Sequence, residues 1–146
     1  MKKNNIVITG CLGRMGKLLT RYVVNDKKLK LTGLTENKLI DKKVYGLIPQ
    51  TCNGQVFKKA DVIIDFTIPK STIETLKIAK KLKKKLVIGT TGFSDKEQRL
   101  ITKASKLIPI LQSGNMSLGI NLMQFISKVL SKGFMNNYTI EVHDTH

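Results

Sequence analysis

Three glycines near the N-terminus have the spacing of a loop that can bind phosphate groups. Gly10, Gly13 and Gly16 lie in the heptapeptide GCLGRMG, between an apolar run and a helical pattern. Glycine lets backbone amides approach a pyrophosphate without a Cβ clash, and the N-terminus of the following helix directs its dipole at the phosphates. The segment is therefore either a phosphate-binding loop or a flexible turn between a strand and a helix.

An acidic residue lies at the distance at which a dinucleotide site requires one. Glu36 follows Gly16 by 20 residues, at the end of the next apolar run. A carboxylate there accepts hydrogen bonds from ribose hydroxyls, and about 20 residues is the usual interval. The glycine spacing, GxxGxxG, is longer than the commonest fingerprint, so the loop alone is weak evidence. The loop, the helix and Glu36 together predict a dinucleotide site.

The residues after this acid bear on the choice of cofactor. An arginine directly after the acid would accommodate the 2′-phosphate of NADPH, whereas this chain has Asn37 and then Lys38. We expect NADH or NADPH as the cofactor. Glu36 favours NADH, and Lys38 with the positive charge of the chain leaves NADPH open.

Apolar runs rich in β-branched residues alternate with helical patterns, which is the order of βαβ units in a doubly wound parallel sheet. Strands are predicted at 5–9, 29–35, 61–66, 85–92 and 108–115, and helices at about 14–25, 69–82 and 94–106. Residues 37–60 have no helical stripe and are predicted as loops. An apolar helix at 116–133 and a strand at 138–146 follow. Ser71 is a predicted helix cap, and Ser94 with Glu97 a predicted capping box.

Polar residues follow the third and fourth predicted strands. Ligands of open α/β sheets bind beyond the carboxyl ends of the strands, so DFTIP (65–69) and GTTG (89–92) are expected to line the same crevice as the glycine loop. Thr67, Thr90 and Thr91 could hydrogen-bond a carboxamide or a ribose there, or could cap the helices that follow.

The composition excludes several classes of protein. With 146 residues, 41% of them hydrophobic and 25% charged, the chain is typical of a globular protein. It contains neither the run of about 20 apolar residues of a membrane helix nor a signal peptide, so we expect a cytoplasmic protein with no membrane partner. Cys11 and Cys52 lack the spacing of a metal site or a disulfide framework, and we expect no metal.

The net charge of +16 raises the alternative of nucleic-acid binding. The excess consists almost wholly of lysine, with arginine only at Arg14, Arg21 and Arg99. Base-reading contacts favour arginine, and interleaved aromatic residues are missing. We therefore expect a solvated lysine-rich surface and no nucleic-acid partner.

Five segments together resemble the 4-hydroxy-tetrahydrodipicolinate reductase (dihydrodipicolinate reductase) family of the bacterial lysine and diaminopimelate pathway. They are GCLGRMG (10–16), VIIDFTIP (62–69), VIGTTGF (87–93), SGNMSLGINLM (113–123) and IEVHDTH (140–146). The resemblance implies a Rossmann dinucleotide-binding domain at 1–116, and at 117–146 the beginning of an α+β substrate and oligomerisation domain. It also implies a homotetramer that reduces a cyclic dicarboxylate, 4-hydroxy-tetrahydrodipicolinate, to tetrahydrodipicolinate with NAD(P)H.

The resemblance further implies roles for single residues. His143 matches the catalytic histidine, and its type suits proton donation; from the residues alone, His143 and His146 could equally be surface residues. His146 and Asp144 are expected at the substrate, although the family usually has a second histidine where this chain has Asp144. The implied cofactor-binding residues are Gly10, Cys11, Leu12, Gly13, Arg14, Met15, Glu36, Phe66, Thr67, Gly89, Thr90, Thr91, Ser113, Gly114, Asn115 and Met116.

The family's chains continue well past the position that matches His146, through a lysine proton donor and a glycine-threonine anion site. We therefore expect this chain to carry a cofactor module and half of a catalytic centre, with weak stability and little turnover alone. The alternative from another class is a non-catalytic dinucleotide-binding module of Rossmann type.

Overall fold

The computed structural model describes residues 2–38 and 40–134, together with residues 139, 141 and 143. The chain divides into two compact units, Met1–Gly114 and Asn115–His146. The predicted strand at 138–146 falls mostly outside the described residues. Within the described part of the chain, no helix is long and apolar enough to cross a membrane.

The first unit is built on a sheet of five strands. Their order across the sheet is β2-β1-β3-β4-β5, and every pairing is parallel. The strands are β1 (Asn4–Thr9), β2 (Leu29–Thr35), β3 (Val62–Asp65), β4 (Lys85–Ile88) and β5 (Ile110–Gln112). The chain runs outward from β1 to β2 and then returns to the other side of β1 as β3. This reversal is a topological switch point, where ligands of such sheets bind.

Helices cover both faces of this sheet, because alternate side chains of a strand point to opposite faces. They are α1 (Arg14–Asn25), α2 (Gly54–Lys58), α3 (Pro69–Lys81) and α4 (Asp95–Ser105). One face packs Ile6, Ile8 and Leu34 against Val23 of α1. The other packs Val7, Ile63 and Leu86 against α2, α3 and α4. The predicted α/β fold, a Rossmann-type doubly wound parallel sheet, is confirmed.

Two helix caps are predicted from the sequence, of which one is present and the other, at Ser71, is wrong. The capping box is present: the Ser94 hydroxyl accepts from the Glu97 amide at 3.4 Å, and the Glu97 carboxylate accepts from the Ser94 amide at 2.9 Å. Ser71, in contrast, caps nothing. Helix α3 begins at Pro69, as predicted, and its N-cap residue is Ile68, because the fixed φ of proline suits the first helical position.

The segment between β2 and β3 contains a helix that the sequence pattern did not predict. The Asn53 side chain accepts hydrogen bonds from the amides of Gln55 and Val56, at 3.0 and 3.2 Å, and so starts α2. Five residues are too few to show a helical stripe. Before this helix, the Gln50 amide donates to the Leu34 carbonyl, and the Gln50 carbonyl accepts from the Glu36 amide. This contact fixes the segment to the end of β2.

The second unit contains α5 (Leu118–Gly133), which begins with a side-chain cap. The Ser117 hydroxyl accepts from the Ile120 amide at 3.4 Å. Large apolar side chains of this helix are exposed, among them Leu118 and Phe125. An amphipathic helix of this kind has a face for which a partner surface is expected.

Candidate dinucleotide-binding site

The loop between β1 and α1 is closed by glycines that leave no room for a side chain. Gly10 has a φ of +61°, and a Cβ there would lie 2.7 Å from the methyl carbon of Thr67. A Cβ on Gly16 would collide with the carbonyl oxygen of Gly10. The first glycine therefore makes the turn, and the third lets α1 approach the loop. These are the roles that glycines have in a pyrophosphate-binding turn.

The N-terminus of α1 suits an anion. Gly13 is the N-cap residue, and no side chain caps the helix. The first turn contains no acidic residue and begins with Arg14. The amide groups at such a helix start carry a partial positive charge and have no partner within the helix. A pyrophosphate would supply the acceptors that these groups otherwise find in water, so the loop fits the predicted ligand.

Glu36 is attached to this loop rather than extended into solvent. One of its carboxylate oxygens accepts from the Leu12 amide and the other from the Asn37 amide, each at 3.1 Å. Next to it, the Cys11 amide donates to the Thr35 carbonyl at 3.2 Å. The end of β2 and the glycine loop therefore form one rim of the crevice, with a carboxylate in it.

Cys11 contributes only its backbone to this rim. Its side chain is buried in the core beside Ile8 and Leu34. Burial, together with the negative charge of Glu36, raises the pKa of the Cys11 thiol to about 11. The thiol therefore stays protonated and belongs to the core.

The opposite rim of the crevice is held by a buried carboxylate, that of Asp65 at the end of β3. Its Oδ1 accepts from the hydroxyls of three threonines, Thr67 at 2.7 Å, Thr72 at 2.9 Å and Thr90 at 3.1 Å. The Thr67 amide donates to the Thr90 hydroxyl at 2.9 Å and to Asp65 Oδ1 at 3.2 Å. The ends of β3 and β4 and the start of α3 are thereby joined.

Sequence reasoning found two members of this cluster and missed the other two. Thr67 and Thr90 were predicted as ligand contacts or helix caps, whereas Asp65 and Thr72 were not singled out. The available signal was an aspartate at the end of the otherwise apolar run VIID. Carboxylates are rarely buried unless they are partnered, so an acid in such a run indicates a polar cluster.

The remaining predicted residues of the first unit lie on the same rim. A Cβ on Gly89 would collide with the ring of Phe66, so the ring lies directly against this glycine. The Ser113 amide donates to the Ile88 carbonyl at 3.1 Å. A Cβ on Gly114 would lie 3.4 Å from the methyl carbon of Thr91. The structure therefore brings residues 66–67, 89–91 and 113–114 together at the ends of β3, β4 and β5.

Other predicted residues lie outside this unit. Asn115 and Met116 belong to the second unit, where the Asn115 side chain accepts from the Ser117 amide at 2.8 Å. His143 is exposed, with its Nε2 3.3 Å from a Glu141 carboxylate oxygen. Asp144 and His146 lie outside the described residues. Among the residues that the structure describes, no group of three or more histidine, cysteine or acidic side chains could hold a metal ion.

Known proteins are similar to this chain in sequence. Residues 4–116 match the family model described as the N-terminus of dihydrodipicolinate reductase. A 4-hydroxy-tetrahydrodipicolinate reductase of Pelagibacter ubique (strain HTCC1062) is 54% identical over 146 residues, which are 100% of this chain and 57% of that protein. The chain thus spans a little over half the length of this relative.

Solved structures show the same fold. A dipicolinate-bound dihydrodipicolinate reductase from Paenisporosarcina sp. TG-14 has a TM-score of 0.75 and 23% identity, with 88% of this chain and 54% of that chain covered. GenD2 from gentamicin A biosynthesis, in complex with NAD, has a TM-score of 0.62 and 12% identity, with 79% and 35% covered.

Proposed function

Because the chain belongs to the dihydrodipicolinate reductase family through residues 4–116, we propose that it binds a nicotinamide dinucleotide and serves the reduction of 4-hydroxy-tetrahydrodipicolinate to tetrahydrodipicolinate. The observation that carries the proposal is the uncapped start of α1 behind a turn in which Gly10 and Gly16 leave no room for a Cβ, with Glu36 fixed beside it. The names of the relative and of the dipicolinate-bound structural neighbour support the choice of substrate.

The cofactor would lie across the switch point with its pyrophosphate on residues 10–15. Glu36 would accept hydrogen bonds from the ribose of the adenosine half. Its two oxygens each accept one backbone amide, and a carboxylate oxygen has room for a second donor. Since β2 and β3 lie on opposite sides of β1, the nicotinamide half would extend over β3 and β4. There it would meet residues 66–67, 89–91 and 113–114. Asn115 and Met116 stay predicted cofactor-binding residues.

We propose a preference for NADH over NADPH. The 2′-phosphate of NADPH would lie beside the Glu36 carboxylate, and like charges at close range repel each other. Asn37 offers no positive charge in compensation, whereas the exposed Lys38 offers some. The NAD-bound structural neighbour supports NAD as a ligand of this fold.

The chemistry of the reaction is divided between cofactor and protein. When bound, the reduced nicotinamide would supply a hydride to the substrate. His143 would supply the proton that the substrate ring takes up with the hydride, because an imidazole nitrogen can carry and donate a proton. We also propose that Asp144 and His146 serve substrate binding, although the acidic Asp144 would repel a dicarboxylate where the family usually has a histidine.

The second unit has a different role in the proposal. We propose that residues 117–146 begin the substrate and oligomerisation domain of a cytoplasmic homotetramer. The exposed apolar side chains of α5, such as Leu122 and Phe125, support this assignment, since apolar patches of this kind mark interfaces.

Calorimetric titration of the 146-residue chain tests the cofactor part of the proposal. NADH and NADPH are each titrated with and without pyridine-2,6-dicarboxylate, a planar analogue of the substrate. We expect saturable NADH binding with weaker NADPH binding. Heat that does not saturate with either nucleotide up to millimolar concentration would contradict the proposal. Binding of NADH that does not respond to the dicarboxylate would limit it to the cofactor module.

A further inference from the structure

The carboxylate of Asp65 is buried where the fold alone has no need of a charge. The residue is fully inaccessible and lies at the carboxyl end of β3, opposite Thr9 of β1. One oxygen, Oδ1, accepts every hydrogen bond that the threonine cluster donates to this carboxylate. The other, Oδ2, is buried and has no hydrogen-bond partner among the described residues.

Such a group is expensive to bury. A charge taken out of water is unfavourable unless it is paired, and the only ion pair among the described residues joins His143 and Glu141, not Asp65. An apolar residue in a strand end would avoid this cost. Buried polar groups that break the rules of core packing are typical of functional sites.

The hydrogen bonds show what the carboxylate fixes. It orients the Thr67 side chain, and its acceptance from the Thr67 amide holds the backbone after Phe66. The methyl group of Thr67 lies against Gly10, so this position also sets the distance between the two rims of the crevice. Through Thr90, the same network reaches the end of β4.

We propose that Asp65 is a positioning residue that holds the nicotinamide-facing rim, residues 66–67 and 89–91, in register with the glycine loop. The inference rests on the proposed function, in which the nicotinamide half extends over β3 and β4. Asp65 itself is too deeply buried to touch the cofactor. It acts through Thr67, which is half-buried at the rim, and through the buried Thr90, whose hydroxyl accepts from the Thr67 amide.

Two conservative variants and one matched control test this proposal in the 146-residue chain. Asp65→Asn keeps the shape and removes the charge. Thr72→Val removes one hydroxyl from the network at a residue outside the predicted cofactor contacts. Thr75→Val makes the same exchange at another buried threonine of α3, one whose hydroxyl lies 3.7 Å from Cys52 Sγ instead.

The readout compares NADH with ADP-ribose, which lacks the nicotinamide ring but keeps the pyrophosphate and the adenosine half. We expect Asp65→Asn to weaken NADH binding about tenfold, and Thr72→Val about threefold, while ADP-ribose changes by less than about twofold. The fluorescence of the bound reduced nicotinamide should change in the same two variants. Thr75→Val should leave all three quantities unchanged.

Several outcomes would overturn the inference. Equal weakening of NADH and ADP-ribose in Asp65→Asn and Thr72→Val would mean that the cluster only stabilises the fold. Unchanged NADH affinity in both variants would mean that the rim does not depend on the carboxylate. If the unaltered chain bound ADP-ribose but not NADH, the rim would not contact nicotinamide at all. Failure to bind either ligand would instead contradict the proposed function, on which the inference rests.

Discussion

Substitution of Gly16 by alanine tests the geometry of the glycine loop separately from the rest of the fold. A Cβ at this position would lie 2.8 Å from the Cα of Cys11, where ordinary contact begins at 3.4 Å, and would collide with the Gly10 carbonyl. The loop and α1 must therefore separate by about 0.6 Å or more at this point. Both atoms that resist are backbone atoms, which cannot rotate away as a side chain could.

The cost follows from this clash. Forcing an extra carbon into a packed interior costs about 1–3 kcal/mol, whereas alanine within a helix gains about 1 kcal/mol over glycine. Because both clashing atoms belong to the backbone, the upper part of the first range applies, about 2–3 kcal/mol. Less the gain of about 1 kcal/mol, we expect Gly16→Ala to lower the free energy of unfolding by about 1–2 kcal/mol, or about 4–8 °C in Tm for a unit of this size. The displaced amides of residues 13–15 should weaken NADH binding at least about tenfold, since charge-assisted hydrogen bonds depend on geometry.

The control is Gly54→Ala at the start of α2, where the nearest atom to a new Cβ is Ile78 Cγ2 at 4.0 Å. This variant should retain both stability and NADH affinity. Thermal unfolding by circular dichroism and titration with NADH measure the two effects separately. A Gly16→Ala chain that unfolds and binds NADH as the unaltered chain does would refute the geometry of the loop.

Other predictions concern single groups of the site. Glu36→Gln should weaken NADH binding about tenfold, measured by fluorescence titration, because neutral acceptors bind ribose hydroxyls less strongly. The control is Glu74→Gln on the exposed side of α3. Equal effects of the two substitutions on NADH affinity would rule out a role for Glu36. The same Glu36→Gln chain should bind NADPH no worse than the unaltered chain does, and a loss of NADPH affinity matching that of NADH would contradict repulsion at this carboxylate. Cys11 should resist alkylation at pH 8 in the folded chain, because its pKa of about 11 leaves little thiolate. Rapid alkylation of Cys11, detected by mass spectrometry, would contradict its burial. Because this pKa is raised on folding, the unfolded chain loses the thiol proton first as the pH rises from about 9 to about 11. The thiol's contribution to stability is therefore present below about pH 9 and is lost over that interval. The unaltered chain should lose stability there relative to Cys11→Ala.

The parts of the fold that repeat a pattern could be predicted from the sequence. Residues 6–8 and 62–64 are continuous apolar runs because β1 and β3 are buried on both faces, and α1 follows the glycine loop at the predicted residue. The interval from Gly16 to Glu36 indicated the carboxylate beside the loop, and the structure places it there.

What escaped prediction depends on contacts between distant segments. The helix α2 is too short to show helical periodicity, and the capping residue Asn53 is its only sequence signal. The cluster around Asp65 draws on residues 65, 67, 72 and 90, which no local pattern connects. The start of α3 at Pro69 agrees with the predicted helix, whereas the predicted cap at Ser71 is wrong, because serine and proline both favour helix starts and the proline comes first.

The central claim is that one crevice, formed by the glycine loop, Glu36 and the ends of β3 and β4, holds a nicotinamide dinucleotide. Chemical-shift mapping of the isotopically labelled chain during titration with NADH tests it most directly. We predict the largest amide shifts in residues 10–16 and 36–37, with further shifts at Thr67 and Thr90. The account would be contradicted if NADH instead shifted amides at the opposite edge of the sheet, such as the lysine-rich residues 83–85, and left the glycine loop unchanged.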